Sequence, residues 1–230
     1  MAEGQINSAA GREIRLEALH VGRPRSIGLH RGRPVLSAIG KDRVELASPL
    51  VAVGDENIEG DEQADLAVHG GPDKAIYAYP AEHLPVWAEE LGVSVRPAFF
   101  GENLSTRGMT EETARIGDVW AWGDVRLQIS QPRSPCYKLA LHTGRADLPK
   151  RFIASGRTGW YLRIVQPGSA PVGGSIQLIE PHPAGLTVLD AHRATLPGGV
   201  TGDILARLLA LEPLAVSWKA MIRRRLTGLG

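Results

Sequence analysis

A chain of 230 residues suits one large domain, or one domain with a small appendage. Its 26 basic and 25 acidic side chains nearly cancel, so no global field draws in nucleic acid or an anionic membrane. One cysteine excludes an internal disulfide, the charged N-terminal region lacks the apolar core of a signal peptide, and no apolar run approaches a membrane span; the expectation is a cytoplasmic protein.

In chain order, residues 1–10 are small and polar and read as a frayed end. Apolar and polar residues alternate from Glu13 to Val21, which predicts a strand with an irregularity near Ala18 and Leu19. Gly22 to Pro34 is rich in Gly, Pro and Arg and reads as loop or edge, followed by short strands at Val35–Ile39 and Val44–Ala47. Gly54 to Asp65 is acidic and turn-rich, with its tight turn at Glu59-Gly60-Asp61.

His69-Gly70-Gly71-Pro72-Asp73-Lys74 leads into a predicted strand at Ala75–Tyr79. Its adjacent glycines suit either a plain turn or an anion-binding loop of exposed N–H groups flanked by His69 and Lys74. Pro80 to Leu91 has a helical pattern with Leu84, Trp87 and Leu91 on one face, and Pro85 either bends that helix or delays its start. Glu102 and Asn103 follow a glycine and face either a ligand or solvent.

Val119–Trp122 and Val125–Ser130 flank Gly123-Asp124, a hairpin signal. The second strand delivers Gln131-Pro132-Arg133-Ser134-Pro135-Cys136-Tyr137-Lys138-Leu139, which carries the chain's cysteine. A lone cysteine is ordinarily a small core hydrophobe. Here two prolines restrict the backbone before the sulfur, and Arg133, Ser134 and Lys138 surround it with polar groups that a core interior would not tolerate. Nearby cations favour the thiolate, which is both nucleophile and metal ligand. Short helices are predicted at Leu139–His142 and Pro149–Ala154, then a basic turn Gly156-Arg157-Thr158-Gly159 and strands at Trp160–Val165 and Ser175–Ile179.

Many short strands with few long helices predict a β-barrel, mainly β with some α, rather than alternating βαβ units. After Pro181 and Pro183 the pattern turns helical: Thr187-x-x-Asp190 is a capping-box variant, and Thr201–Leu211 and Ser217–Leu226 are amphipathic. The expected division is a barrel domain over residues 1–183 and a three-helix extension over 184–230. Arg223-Arg224-Arg225 reads as solvated cations in a last helical turn rather than as a nucleic-acid patch.

The blocks Glu59-Gly60-Asp61-Glu62-Gln63-Ala64-Asp65, His69-Gly70-Gly71-Pro72-Asp73-Lys74-Ala75, Phe100-Gly101-Glu102-Asn103-Leu104 and Gln131–Leu139, in that order, resemble MOSC-domain proteins of the YiiM type, the 6-N-hydroxylaminopurine resistance family. That resemblance implies a MOSC β-barrel with a C-terminal three-helix extension, binding molybdenum cofactor and reducing N-hydroxylated small molecules to amines. Cys136 matches the family's cysteine, the implied molybdenum ligand and catalytic residue. His69, Glu102, Asn103, Arg133, Ser134, Lys138 and Arg157 are implied around the pterin and its phosphate. With no Gly-x-Gly-x-x-Gly after a strand, a separate electron-donor reductase is the implied partner. Pyridoxal phosphate, used by larger proteins that end in this domain, is not expected. The alternatives are a carrier or storage module without turnover and a thiol hydrolase pairing Cys136 with His69.

Overall fold

The computed structural model describes residues 13–45, 49–63 and 71–227. In chain order the first strands are β1 (Glu13–Val21), β2 (Arg25–His30), β3 (Arg33–Ser37), β4 (Asp42–Arg43), β5 (Leu50–Val53) and β6 (Ile76–Pro80). Helix α1 (His83–Leu91) precedes β7 (Leu104–Arg107), β8 (Val119–Trp122) and β9 (Val125–Pro132). Helices α2 (Tyr137–Thr143) and α3 (Leu148–Ser155) are followed by β10 (Trp160–Gln166), β11 (Gly168–Pro171) and β12 (Gly174–Glu180). The described chain ends in α4 (Val188–Arg193), α5 (Gly202–Ala210) and α6 (Val216–Leu226).

Seven strands close into a barrel in the order β12, β8, β9, β10, β6, β7, β1, with β1 pairing back onto β12. The predicted hairpin at Gly123-Asp124 joins β8 to β9, and Val125, Leu127 and Ile129 alternate inward as the sequence implied. Side chains from around the ring, among them Ile14, Leu16, Trp120, Trp160, Leu162 and Ile176, fill the interior. Each such fully buried side chain stabilises the fold by roughly 1.5–3 kcal/mol. The irregularity expected in β1 is a register shift between Leu16 and Ala18 against β7.

The parallel pair β6–β7 is a βαβ unit that the sequence reading did not contain. Parallel neighbours need a crossover, and α1 supplies it. That helix starts at His83, so Pro85 falls in its first turn, where a missing N–H breaks no helical hydrogen bond. Its Trp87 packs with Tyr79, Phe100, Leu139 and Phe152 into a second, aromatic core outside the barrel.

In the segment Gly22 to Pro34, read as loop or edge, Arg25–His30 pairs with Arg33–Ser37 as a two-stranded hairpin separate from the barrel. The strand expected at Val44–Ala47 lies earlier: the pairing with β1 is made by Asp42 and Arg43, and residues 46–48 lie outside the described residues.

At the C-terminal end the capping box is formed in full. Thr187 accepts from the Asp190 amide at 3.0 Å, and Asp190 accepts from the Thr187 amide at 2.9 Å. Ala191, Leu208, Trp218 and Ile222 join the barrel's own hydrophobic cluster. The Ala215 amide donates to Ser130 O at 3.0 Å and Ser217 Oγ to Gln131 Oε1 at 3.0 Å, tying the start of α6 to the end of β9. Among the described residues no helix is long and apolar enough to cross a membrane.

Candidate functional site

Strand β9 leaves the barrel at Pro132, and Arg133–Pro135 carry the chain to Cys136 at the start of α2. The Arg133 amide donates to Gly159 O at 3.3 Å, anchoring this segment to the turn before β10. Gly159 sits at φ +61 with its Cα against β6, and a Cβ there would lie 2.4 Å from Ala78 O. The turn is therefore held tightly under the cysteine segment. Cys136 is half-buried with an extended backbone and opens onto a cleft whose cavity holds about 110 Å³. Arg133, Ser134 and Lys138 line it from the same segment, Tyr77 and Tyr161 from β6 and β10, and Lys41, Asp61, Lys74 and Asn103 from the opposite wall.

Two cations in this cleft are buried without a counter-ion. Arg133 is 7% exposed and Lys138 9%, and no carboxylate among the described residues lies within ion-pair distance of either. The Arg133 guanidinium stacks 4.7 Å over the Tyr77 ring and 5.3 Å from the Phe152 ring, and its Nη1 donates to Tyr77 Oη at 3.5 Å. Burial disfavours its charge, but Tyr77, Tyr161 and Cys136 outweigh that and keep its pKa raised. Burial pushes the Tyr77 and Tyr161 hydroxyls up, so both remain protonated donors at neutral pH.

The opposite wall is built on one carboxylate. Asp61 forms a buried ion pair with Lys41 and also accepts from the Gly22 amide at 2.8 Å and from Asn103 Nδ2 at 2.9 Å. Asn103 in turn accepts from the Tyr77 amide at 3.1 Å and donates to His20 O at 3.2 Å. Lys41 has its pKa lowered by burial, with Asp61 pulling it back up. The turn Pro72–Lys74 is held by Asp73, which accepts from Arg163 at 2.6 Å, and by Ser130 Oγ donating to Asp73 O at 2.6 Å. Burial lowers the Lys74 pKa as well.

His20, behind Asn103, sets a pH dependence. Burial, then Arg43 and Lys41, push its pKa down to about 4, and its Nδ1 has no hydrogen-bond partner. The unfolded chain binds a proton at His20 near pH 6.5 while the folded chain does not, so this contribution is present at pH 7 and lost as pH falls toward 4. The loss amounts to roughly 2–3 kcal/mol. Urea unfolding at pH 7 and 4.5 should show a shallower pH slope for His20→Gln than for the unmodified protein; equal slopes would remove the assignment.

Of the residues the resemblance implied, Cys136, Arg133, Ser134, Lys138 and Asn103 come together in the cleft. Glu102 and Arg157 do not line it. The Glu102 carboxylate is buried and accepts from the Ala98 amide at 2.7 Å, the Phe100 amide at 3.2 Å and Ser105 Oγ at 2.9 Å, with burial pushing its pKa up. Arg157 stacks 4.2 Å over Trp87 and pairs with Glu90 at 2.6 Å. His69 lies outside the described residues. Lys41, Tyr77 and Tyr161 were not anticipated as site residues. Asp61 was anticipated only as part of a turn, and its place in the Glu59–Asp65 block was the one signal pointing to it.

Among the described residues no group of three or more His, Cys, Asp or Glu side chains could hold a metal ion. Among the described residues a metal at Cys136 would have one protein donor, with the rest of its shell left to an organic ligand. A single thiol facing two uncompensated buried cations fits an anionic, sulfur-bearing metal cofactor better than a bare ion.

The MOSC domain matches residues 65–177. Protein YiiM of Escherichia coli (strain K12) is 40% identical over 202 residues, covering 86% of this chain and 87% of that protein. The crystal structure of YiiM from Geobacillus stearothermophilus superposes with a TM-score of 0.76 at 30% identity, covering 93% of this chain and 99% of that one. A protein named "Reductase" from Gibberella moniliformis is 34% identical over 185 residues, 78% of this chain but 32% of its own length. With its closed barrel, its cysteine segment and these matches over most of its length, the chain belongs to the MOSC-domain family, alongside the YiiM proteins.

Proposed function

We propose that this protein binds molybdenum cofactor through Cys136 and reduces N-hydroxylated small molecules, such as 6-N-hydroxylaminopurine, to amines in the cytoplasm. The observation that carries the reading is the pair of buried, uncompensated cations, Arg133 and Lys138, lining one cleft with the half-buried Cys136. The name "Reductase" of the Gibberella protein supports oxidoreductase chemistry.

Each residue has a role in this reading. Cys136 offers a soft sulfur donor to a soft metal. Arg133 and Lys138 bind the anionic parts of the cofactor by charge-assisted hydrogen bonds. The Tyr161 hydroxyl, kept protonated by burial, places a proton-bearing oxygen on the cleft wall where a leaving hydroxyl needs one, while the Tyr77 hydroxyl already donates to Thr158 O at 2.9 Å and serves to hold Arg133. When bound, the cofactor supplies the two-electron change. The overall reaction is R–NHOH plus two electrons and two protons, giving R–NH₂ and water. A separate reductase supplies the electrons.

The test is metal and pterin analysis of protein purified from a strain competent for molybdenum cofactor synthesis, followed by 6-N-hydroxylaminopurine with a chemical electron donor. Near-stoichiometric molybdenum and formation of the amine are expected. Protein from such a strain without metal or pterin would overturn the reading, and metal with pterin but no amine would leave a carrier.

A further inference from the structure

We propose that a second groove, formed by Arg25, Lys41, Arg96 and His142, binds the phosphate group of a phosphorylated small molecule. Its cavity of about 350 Å³ adjoins the Cys136 cleft, since Lys41 lines both. The four basic groups come from four separate parts of the chain: the start of β2, the loop between β3 and β4, the loop after α1, and α2. Among the described residues no acidic side chain lines the groove.

The existing counter-ions leave positive charge over. Asp61 answers Lys41, and Arg25 reaches only the exposed Asp42, at 3.6 Å. Arg96 and His142 have no ion-pair partner among the described residues. Bringing like charges together without a partner is unfavourable, and an oxyanion on this spot reverses the sign of the interaction. Burial, then Arg25 and Arg133, hold the His142 pKa below its ordinary value, so at neutral pH its ring is a neutral donor beside the guanidinium groups.

The groove is also shaped in advance. The Arg25 guanidinium lies directly on Gly40, where an added Cβ would come 2.7 Å from Nη2. The loop carrying Arg96 contains Ala98 at φ +68, a conformation a non-glycine residue holds only when its surroundings impose it. The buried Glu102 carboxylate imposes it, through the Ala98 and Phe100 amides. Glu102, implied by the resemblance near the pterin, thus orders the loop that presents Arg96. The groove is larger than a bare phosphate needs, and Phe99 gives it an aromatic wall, so a phosphate ester with an unsaturated ring suits it.

The test uses full-length protein from cells unable to make the pterin. It is titrated with inorganic phosphate, adenosine monophosphate and, at matched ionic strength, chloride, followed by calorimetry and by the His142 ring signals in NMR. Saturable phosphate binding that moves the His142 signals is expected. Arg25→Ala and Arg96→Ala should each weaken it about tenfold or more, the scale of one lost charge-assisted hydrogen bond. Gly40→Ala, which pushes the Arg25 guanidinium aside while keeping every charge, should also weaken it. Binding equalled by chloride, or unchanged in Arg25→Ala and Arg96→Ala, would overturn the proposal. Repeating the titration on pterin-loaded protein separates the sources. Continued binding means a separate phosphorylated molecule, as proposed; blocked binding means the pterin's own phosphate fills the groove, and that would overturn the proposal. If the protein proves never to hold a pterin, the first titration still decides.

Discussion

Cys136→Ala should give a folded protein that retains no molybdenum and reduces no N-hydroxylated substrate. The sulfur is the one soft donor lining the cleft, and the described residues offer no cluster that could take over a metal. Losing a direct ligand should lower turnover and metal content by more than about 100-fold, beyond the 10–100-fold typical when only an outer partner of a ligand is removed. Stability should change by no more than about 1 kcal/mol, because Cys136 is only half-buried and alanine leaves little cavity there. Cys136→Ser tests the point more strictly, since it keeps the shape and exchanges soft sulfur for hard oxygen. Metal analysis, turnover and thermal unfolding on the same preparations check all three. An alanine variant with its metal and full turnover would remove Cys136 from the chemistry.

Asp61→Ala should have the largest effect on folding. Its carboxylate answers the buried Lys41 and holds the Gly22 amide and Asn103, so alanine strands an ammonium in the interior and releases two donors. Breaking a buried pair from one side typically costs about 3–5 kcal/mol. Replacing both members, Lys41→Met with Asp61→Leu, should cost clearly less than Asp61→Ala alone, because no charge is then left without its partner. Urea unfolding of the single and double variants measures the difference. A single variant within about 1 kcal/mol of the unmodified protein would mean that the ion pair does not support the wall.

What was legible in the sequence follows from which residues face two different environments. Strand β9 alternates because Val125, Leu127 and Ile129 point into the barrel while Arg126 and Gln128 stay half-buried outside, and the C-terminal helices show their apolar faces for the same reason. Strand β2 was invisible because nearly all its residues are exposed, so no pattern marks it, whereas β3 was read from Val35, which with Ser37 is buried. β7 was missed for the opposite reason: Leu104, Ser105 and Thr106 are all buried, and Ser105 and Thr106 break any apolar signal. At the site, the cysteine segment announced itself by chemistry that a core would reject. Lys41 and Asp61 lie 20 positions apart and meet only through the fold. Glu102 and Arg157 have the right side chains for a ligand, but a loop and Glu90 had already claimed them.

The bonds from Ala215 to Ser130 and from Ser217 to Gln131 have a consequence for the sulfur. They fasten the end of β9 from behind, while Arg133 and Ser134 also line a cavity whose far side is Trp218, Met221, Arg224 and Arg225. The strip of chain bearing Cys136 is thus a partition with the cysteine chamber on one side and the terminal helices on the other. A shortened protein ending before those helices would keep every residue that touches the chamber and still lose the backing that holds its thiol in place.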